Sequence, residues 1–415
     1  MLKRCSTHRV STAKRNSENL PPEPARQSIQ TYTKNNTTQN LDIFRKRISI
    51  NEQQIPRQSR QTYENPEVNR LTIALAIDDE KYWKKAYGEI TEAKFGGLKS
   101  KSAMMIQGFS YKELYLHQYF QQLIASDTDI ETIFAIAGLT GVNLRSLVIE
   151  NIMADRLNDY IRLLFYMPNL EHLVIRLNGL DTSCHSFEGS IDLDCQQRLI
   201  LCERRAKLLV DNSRFENLIS MAFEYCNLEA PSLKILLNAF QNAAWLKKLS
   251  FWHNRIDNSG VKLLIKFFDA HPEIRLQELI LSDNELSNDS VSLLAPWISK
   301  PNCPLISLDL STNYINNQGF IKIACKILEN SVSRLRTLDL SSNLIRDDLG
   351  EFLTIFVAKN STLRKLILDG NDIYLGKVFV QALQIAFESN WVLKELSLKY
   401  NQIDNDILSM LKPSH

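Results

Sequence analysis

An α/β solenoid of stacked strand–turn–helix units is predicted by three observations. First, six segments between Leu246 and Ile403 share one pattern, LxxLxLxxN, each followed two residues later by an aliphatic residue. Second, their asparagines (Asn254, Asn284, Asn313, Asn343, Asn371 and Asn401) are separated by 30, 29, 30, 28 and 30 residues. Third, each pattern is followed by apolar residues at helical spacing, as in Phe320, Ile321, Ile323, Ala324 and Ile327, where the hydrophobic period changes from two to about 3.6. No such unit buries its apolar side alone, whereas stacked units share one continuous core.

A fixed period near 29 with this signature marks a leucine-rich repeat. Alternation within the strand fixes direction. In Leu305–Asn313, Leu308 and Leu310 point inward, and Ser307, Asp309 and Ser311 point outward. The outward positions predicted to offer partner contacts are Glu224, Trp252, Glu278, Ser282, Asp309, Ser311, Asp339, Ser341, Asp369 and Lys399. Lys248, Ser250, Lys365 and Glu395 share that face. Trp252 has two readings: an aromatic anchor for a partner, or a lid over the neighbouring strand. The small and acidic lining argues against nucleic acid, which requires a basic groove.

The repeats begin weakly. Leu144, Leu147 and Ile149 fit the strand, with Ile152 at the asparagine position, and Leu170, Leu173, Ile175 and Asn178 form the next copy. The following copy, with Leu218, Met221 and Phe223, reaches its turn residue Cys226 only 48 residues after Asn178. An insertion around 179–213 is therefore expected, with the delayed helix of that unit at Leu199–Val210. It contains Cys184, His185, Cys195 and Cys202, but zinc sites use ligand pairs two to four residues apart, and these spacings do not. Small apolar packing is expected of the thiols instead.

Ahead of the repeats, residues 71–142 read as a small helical domain capping the solenoid. Leu71, Ile73 and Ala74 precede an acidic turn at Asp78-Asp79-Glu80, where Asp78 or Asp79 caps a helix carrying Tyr82, Trp83 and Tyr87. A second helix runs from Ser110-Tyr111 through Tyr119, Phe120, Leu123 and Ile124. Residues 1–70 carry 13 Lys/Arg against 6 Asp/Glu, whereas the remainder carries 36 against 41. Rich in polar residues and poor in core formers, they predict a disordered or extended basic tail. The repeat domain is then 143–415.

Seven scattered cysteines without a CxxC pair suit a reducing compartment. No apolar run approaches the roughly 18 residues that cross a bilayer, so a soluble intracellular protein without membrane contact is expected. Phosphate loops, nucleophile elbows and HExxH motifs are missing from the sequence. The reading is a non-enzymatic interaction protein with no catalytic residue, metal or cofactor. Asp309 and Asp339, one repeat apart, are read as partner contacts or solvated groups rather than as an acid–base pair.

The 29-residue unit resembles the ribonuclease-inhibitor class of leucine-rich repeats. That resemblance implies a curved horseshoe with parallel strands inside and helices outside, and a structural ladder of the six asparagines bonding backbone groups in the turns. Leu71–Trp83, ending Ile77-Asp78-Asp79-Glu80-Lys81-Tyr82-Trp83, then Tyr111-Lys112-Glu113-Leu114-Tyr115 and the interrupted repeat after Leu170-Glu171-His172-Leu173, resemble the dynein regulatory complex subunit 5 family (t-complex-associated testis-expressed). That likeness covers roughly 71–415. It implies a scaffold of the nexin–dynein regulatory complex in the ciliary axoneme, docking other subunits and, through the basic tail, doublet microtubules. Tyr82-Trp83-Lys84-Lys85 and Tyr111-Lys112-Glu113-Leu114 also resemble the segment after an F-box, which implies a ubiquitin-ligase substrate adaptor, although residues 20–70 lack the apolar helix of an F-box. A Ran-directed GTPase activator shares the same horseshoe.

Overall fold

The structure is a computed structural model describing residues 66–92, 110–125, 128–150, 152, 156–177, 200–346, 349–404 and 406. The chain divides into units 1–49 and 50–415, and every described residue belongs to the second. Cys184, His185, Cys195 and Asn178, most of the expected insertion, and the expected tail as far as residue 65 lie outside the described residues.

Four helices come first: α1 (Pro66–Leu75), α2 (Glu80–Glu92), α3 (Tyr111–Ala125) and α4 (Ile130–Thr140). Strands and helices then alternate through β1 (Ser146–Glu150), α5 (Leu157–Leu163), β2 (His172–Arg176), α6 (Glu203–Asn212), β3 (Ser220–Glu224), α7 (Ala230–Phe240) and β4 (Lys248–Ser250). The regular half continues with α8 (Asn258–Ala270), β5 (Glu278–Ile280), α9 (Asn288–Ile298), β6 (Ser307–Asp309), α10 (Asn317–Glu329) and β7 (Thr337–Asp339). It closes with α11 (Gly350–Lys359), β8 (Lys365–Ile367), α12 (Lys377–Ser389) and β9 (Glu395–Ser397). The nine strands among the described residues form one parallel sheet in sequence order, the arrangement of a leucine-rich-repeat solenoid.

Register follows the repeat without slippage. Leu249, Leu279, Leu308, Leu338 and Leu366 are successive partners across β4 to β8, and all are buried. Phe223 and Phe251 stack at 5.9 Å between ring centroids, extending the core through the third and fourth units. Helix starts repeat as well. Asp257 accepts from the amides of Ser259 and Gly260, Ser287 from Asp289, and Asn316 from Gln318, each satisfying a first-turn donor. A Cβ on Gly319 would lie 2.4 Å from Asn288 Oδ1 and 2.7 Å from the Ile315 methyl, so this helix start tolerates no side chain.

Two expectations change here. The helix expected from Leu71 already includes Pro66, since α1 spans Pro66–Leu75 and Val68 and Leu71 are both fully buried; proline is well suited to the first helical turn. The delayed helix is Glu203–Asn212 rather than Leu199–Val210, its N-terminus set by the extended backbone of Cys202.

The front helices interlock through both sequence motifs. Asp79 Oδ1 accepts from the Lys81 amide at 2.9 Å, and Trp83 Nε1 donates to Ile77 O at 3.0 Å. Trp83 packs on Tyr115 at 5.2 Å, the Tyr111 amide donates to Glu80 at 2.8 Å, and Lys112 Nζ donates to Leu75 O at 2.8 Å. Ser110 and Glu113 form a reciprocal capping box at the start of α3. That helix packs against β1, the first strand of the sheet.

The residue before each turn asparagine, or before Cys226 in its place, is left-handed. Its φ is 55° at Tyr225, 53° at His253, 57° at Asp283, 54° at Thr312, 51° at Ser342 and 58° at Tyr400, with Gly370 at 63°. The β-branched Thr312 is the costliest occupant of this region. Thr312→Gly is expected to stabilise the protein by up to about 1 kcal/mol, relief of the left-handed penalty exceeding the entropy glycine adds to the unfolded chain. Urea unfolding measures it, and a lower midpoint would contradict the strain.

Candidate interaction surface

Three outward rows cross the strand face. In the first, Ser146, His172, Ser220, Lys248, Glu278, Ser307, Thr337, Lys365 and Glu395 are register partners in turn. Lys248 bonds Glu278 at 2.7 Å and Lys365 bonds Glu395 at 2.8 Å, and His172 Nδ1 lies 2.7 Å from Ser220 Oγ. Burial lowers the His172 pKa, with Arg145 acting in the same direction and Glu171 against it. Such half-exposed pairs contribute roughly 0–1 kcal/mol each, so they shape the face more than they hold it.

The middle row brings Asp309 beside Asp339 and Asp339 beside Ile367. Asp309 Oδ1 accepts from the Ser311 amide and hydroxyl at 2.9 and 2.7 Å, and Asp339 binds Ser341 in the same way. Burial raises the Asp339 pKa above the ordinary carboxylate range, its bonds to Ser341 oppose this, and the neighbouring Asp309 and Asp369 raise it further. Asp369 Oδ1 accepts from the Lys399 amide at 2.8 Å. Among the described residues no group of three or more His, Cys, Asp or Glu could hold a metal ion.

The third row carries Glu150, Arg176, Glu224, Trp252, Ser282, Ser311, Ser341, Asp369 and Lys399. Arg176 bridges Glu150 and Glu224 at 2.6 Å each, across three strands. The Trp252 ring contacts Tyr225 edge-on at 4.9 Å, and 37% of the residue is exposed. Tyr225 also lies 4.1 Å from His253, whose Nδ1 bonds Asp283. Ser282 departs from expectation. It points to the strand face but is buried, as is Ser250, whereas Ser311 and Ser341 farther along the row, away from the bulky Trp252, are half-buried. The remaining predicted positions are half-buried or exposed.

Sequence reasoning passed over Arg176, Tyr225 and His253. A glutamate, arginine and glutamate at one position in three successive units is the signal for the first. The left-handed position before the turn asparagine is the signal for the other two.

Behind this face the asparagines form a continuous series. Asn313 Oδ1 accepts from the amides of Asn284 and Leu286 at 3.0 and 2.8 Å, while its Nδ2 reaches the carbonyls of Leu281, Leu310 and Ser311. Asn254, Asn284, Asn343, Asn371 and Asn401 repeat the arrangement. In the turn before Asn254 a cysteine replaces asparagine: Cys226 is fully buried, its thiol donates to Ile175 O at 3.3 Å, and burial pushes its pKa up. It is a packed thiol rather than a reactive one. Cys202 is half-buried at the start of α6. Among the described residues no helix is long and apolar enough to cross a membrane.

A family model described as Leucine Rich repeat matches residues 389–412. Mouse NACHT, LRR and PYD domains-containing protein 4C is 26% identical over 245 residues, covering 56% of this chain and 24% of that protein. Mouse ribonuclease inhibitor is 28% identical over 155 residues, covering 31% of this chain and 34% of that protein. This chain therefore spans a quarter to a third of the length of these two relatives. Among solved structures, a TLR13–ssRNA13 complex aligns with 68% of this chain and 35% of that one at 18% identity and a TM-score of 0.39. The fold is a leucine-rich-repeat solenoid, and part of the chain is similar to these leucine-rich-repeat proteins.

Proposed function

We propose that the chain is a non-catalytic docking scaffold of the ciliary axoneme, working as a subunit of the nexin–dynein regulatory complex. The single observation that carries the docking role is Trp252, a large aromatic left partly exposed on a rigid parallel sheet and buttressed by Tyr225. Aromatics of this kind dominate binding energy at protein interfaces. The axonemal part rests on the family resemblance of Leu71–Trp83 and Tyr111–Tyr115. It is supported by the way those motifs bind each other through Glu80–Tyr111, Lys112–Leu75 and Trp83–Tyr115, which gives both a shared structural reason.

In this reading the strand face engages other subunits of the complex and the basic N-terminal tail lies along doublet microtubules. Tagging the protein in ciliated cells and imaging it is the test. Label along the axoneme is expected, with at least tenfold weaker retention of Trp252→Ala after detergent extraction. Diffuse cytoplasmic label with an empty axoneme would overturn the axonemal assignment. Full retention of the Trp252→Ala variant would overturn the strand face as the docking surface.

A further inference from the structure

A groove of about 590 Å³ lies on the rim where chain enters the strands, away from the strand face discussed above. Asn143, Asn169, Asn217 and Trp245 occupy one equivalent position in four successive units, each three residues before the register partners Ser146, His172, Ser220 and Lys248. Asn169 Nδ2 donates to Val142 O at 2.8 Å and Asn217 Nδ2 donates to Pro168 O at 3.1 Å. Both nitrogens are thus committed to the preceding unit, which leaves the carboxamide oxygens as acceptors on exposed residues. Two apolar side chains flank them, Val142 at 54% and Trp245 at 65% exposure.

The charges of the groove are unequal in availability. Arg145 and Glu171 neutralise each other through two bonds of 2.8 and 2.7 Å. Glu113 is engaged by Ser110 in the α3 capping box. Lys247 is exposed next to Trp245, and no ion pair of its ammonium exists among the described residues. Glu113 keeps its negative charge at the α3 side, and the charge at the tryptophan end is the Lys247 ammonium.

We propose that this groove binds an extended peptide segment of a partner protein, with an aliphatic or aromatic side chain against Trp245 and a carboxylate at Lys247. An extended segment fits because it offers backbone N–H groups to the asparagine oxygens, whereas a helix has most of its own already bonded. Four units at the parallel-strand spacing span about 15 Å, the reach of four to five extended residues. The acidic residue belongs at the tryptophan end because Lys247 is the charge there. This site goes beyond the strand-face reading and stands or falls separately from it.

The test selects a phage-displayed library of random 12-residue peptides on the full chain, then measures one selected peptide by fluorescence anisotropy. Enriched peptides are expected to carry an apolar residue within three positions of Asp or Glu. Affinity should fall at least tenfold with Trp245→Ala and with the Asn169→Ala/Asn217→Ala pair. Lys247→Glu should reverse the preference, so that the same peptide with Lys in place of its acid now binds better. Thermal melts confirm that each variant is folded. Failure to enrich any peptide, equal binding by Trp245→Ala, or no reversal with Lys247→Glu would overturn the proposal. Loss with Trp252→Ala but not with Trp245→Ala would assign binding to the strand face. Self-association lost in Trp245→Ala without peptide enrichment would identify the occupant as a second copy.

Discussion

Asn313→Ala is expected to lower the unfolding free energy by about 3–5 kcal/mol, read from urea melts against a Ser311→Ala control that changes it little. The side chain is nearly inaccessible and makes five hydrogen bonds. Alanine leaves the amides of Asn284 and Leu286 without acceptors in a dry turn, and each orphaned buried group costs roughly 1–3 kcal/mol. No water-sized group replaces the carboxamide without opening the turn, so the two penalties add. A loss below 1 kcal/mol would mean that water or backbone relaxation re-satisfies both donors.

Acidification is expected to weaken the front helices through His117. Its Nε2 is enclosed without a hydrogen-bond partner, and burial depresses the imidazole pKa to about 4. The folded state therefore prefers neutral imidazole, while the unfolded chain takes up a proton near pH 6.5. Stability from this group is complete above about pH 6.5 and is lost as pH falls toward 4. A shift of this size corresponds to about 3 kcal/mol at full protonation. His117→Leu should flatten the fall in urea midpoint between pH 7 and 4.5, and parallel profiles for the two proteins would mean that His117 protonates as readily folded as unfolded.

Much of the architecture was legible because the repeat repeats its physics. Once Leu308 and Leu338 are aligned by sequence, their inward direction, their pairing and the helix after each turn follow from alternation and period. Alternation gives direction but not depth, which is why Ser282 points outward and is still buried. The first turn of α1 was missed because Pro66 and Glu67 look like the polar sequence before them, although Val68 and Leu71 belong to the core. Arg176 gave no signal within its own unit, since its two carboxylate partners come from units 26 residues before and 48 after. Asn143, Asn169 and Asn217 precede the leading leucines, where the repeat pattern constrains nothing, so only the sheet register brings them into line.

The asparagine series has a direction. The oxygen of Asn254 completes the turn at Cys226 and Leu228, that of Asn284 completes the turn at Ile256, and that of Asn371 completes the turn at Ile345. In these turns the amides are completed by an asparagine about 28 positions downstream, while the turn's own asparagine bonds its carbonyls through Nδ2. Removing a unit from the C-terminal side strips amide acceptors from the unit before it. Removing one from the N-terminal side takes from its successor the carbonyl its asparagine Nδ2 donates to, as Leu281 O serves Asn313, and carbonyls that accept its backbone amides, as Leu286 O serves Tyr314. Each unit is thus completed from both sides by different groups: its turn amides by the asparagine oxygen of the unit that follows, its strand-entry amides by carbonyls of the unit before.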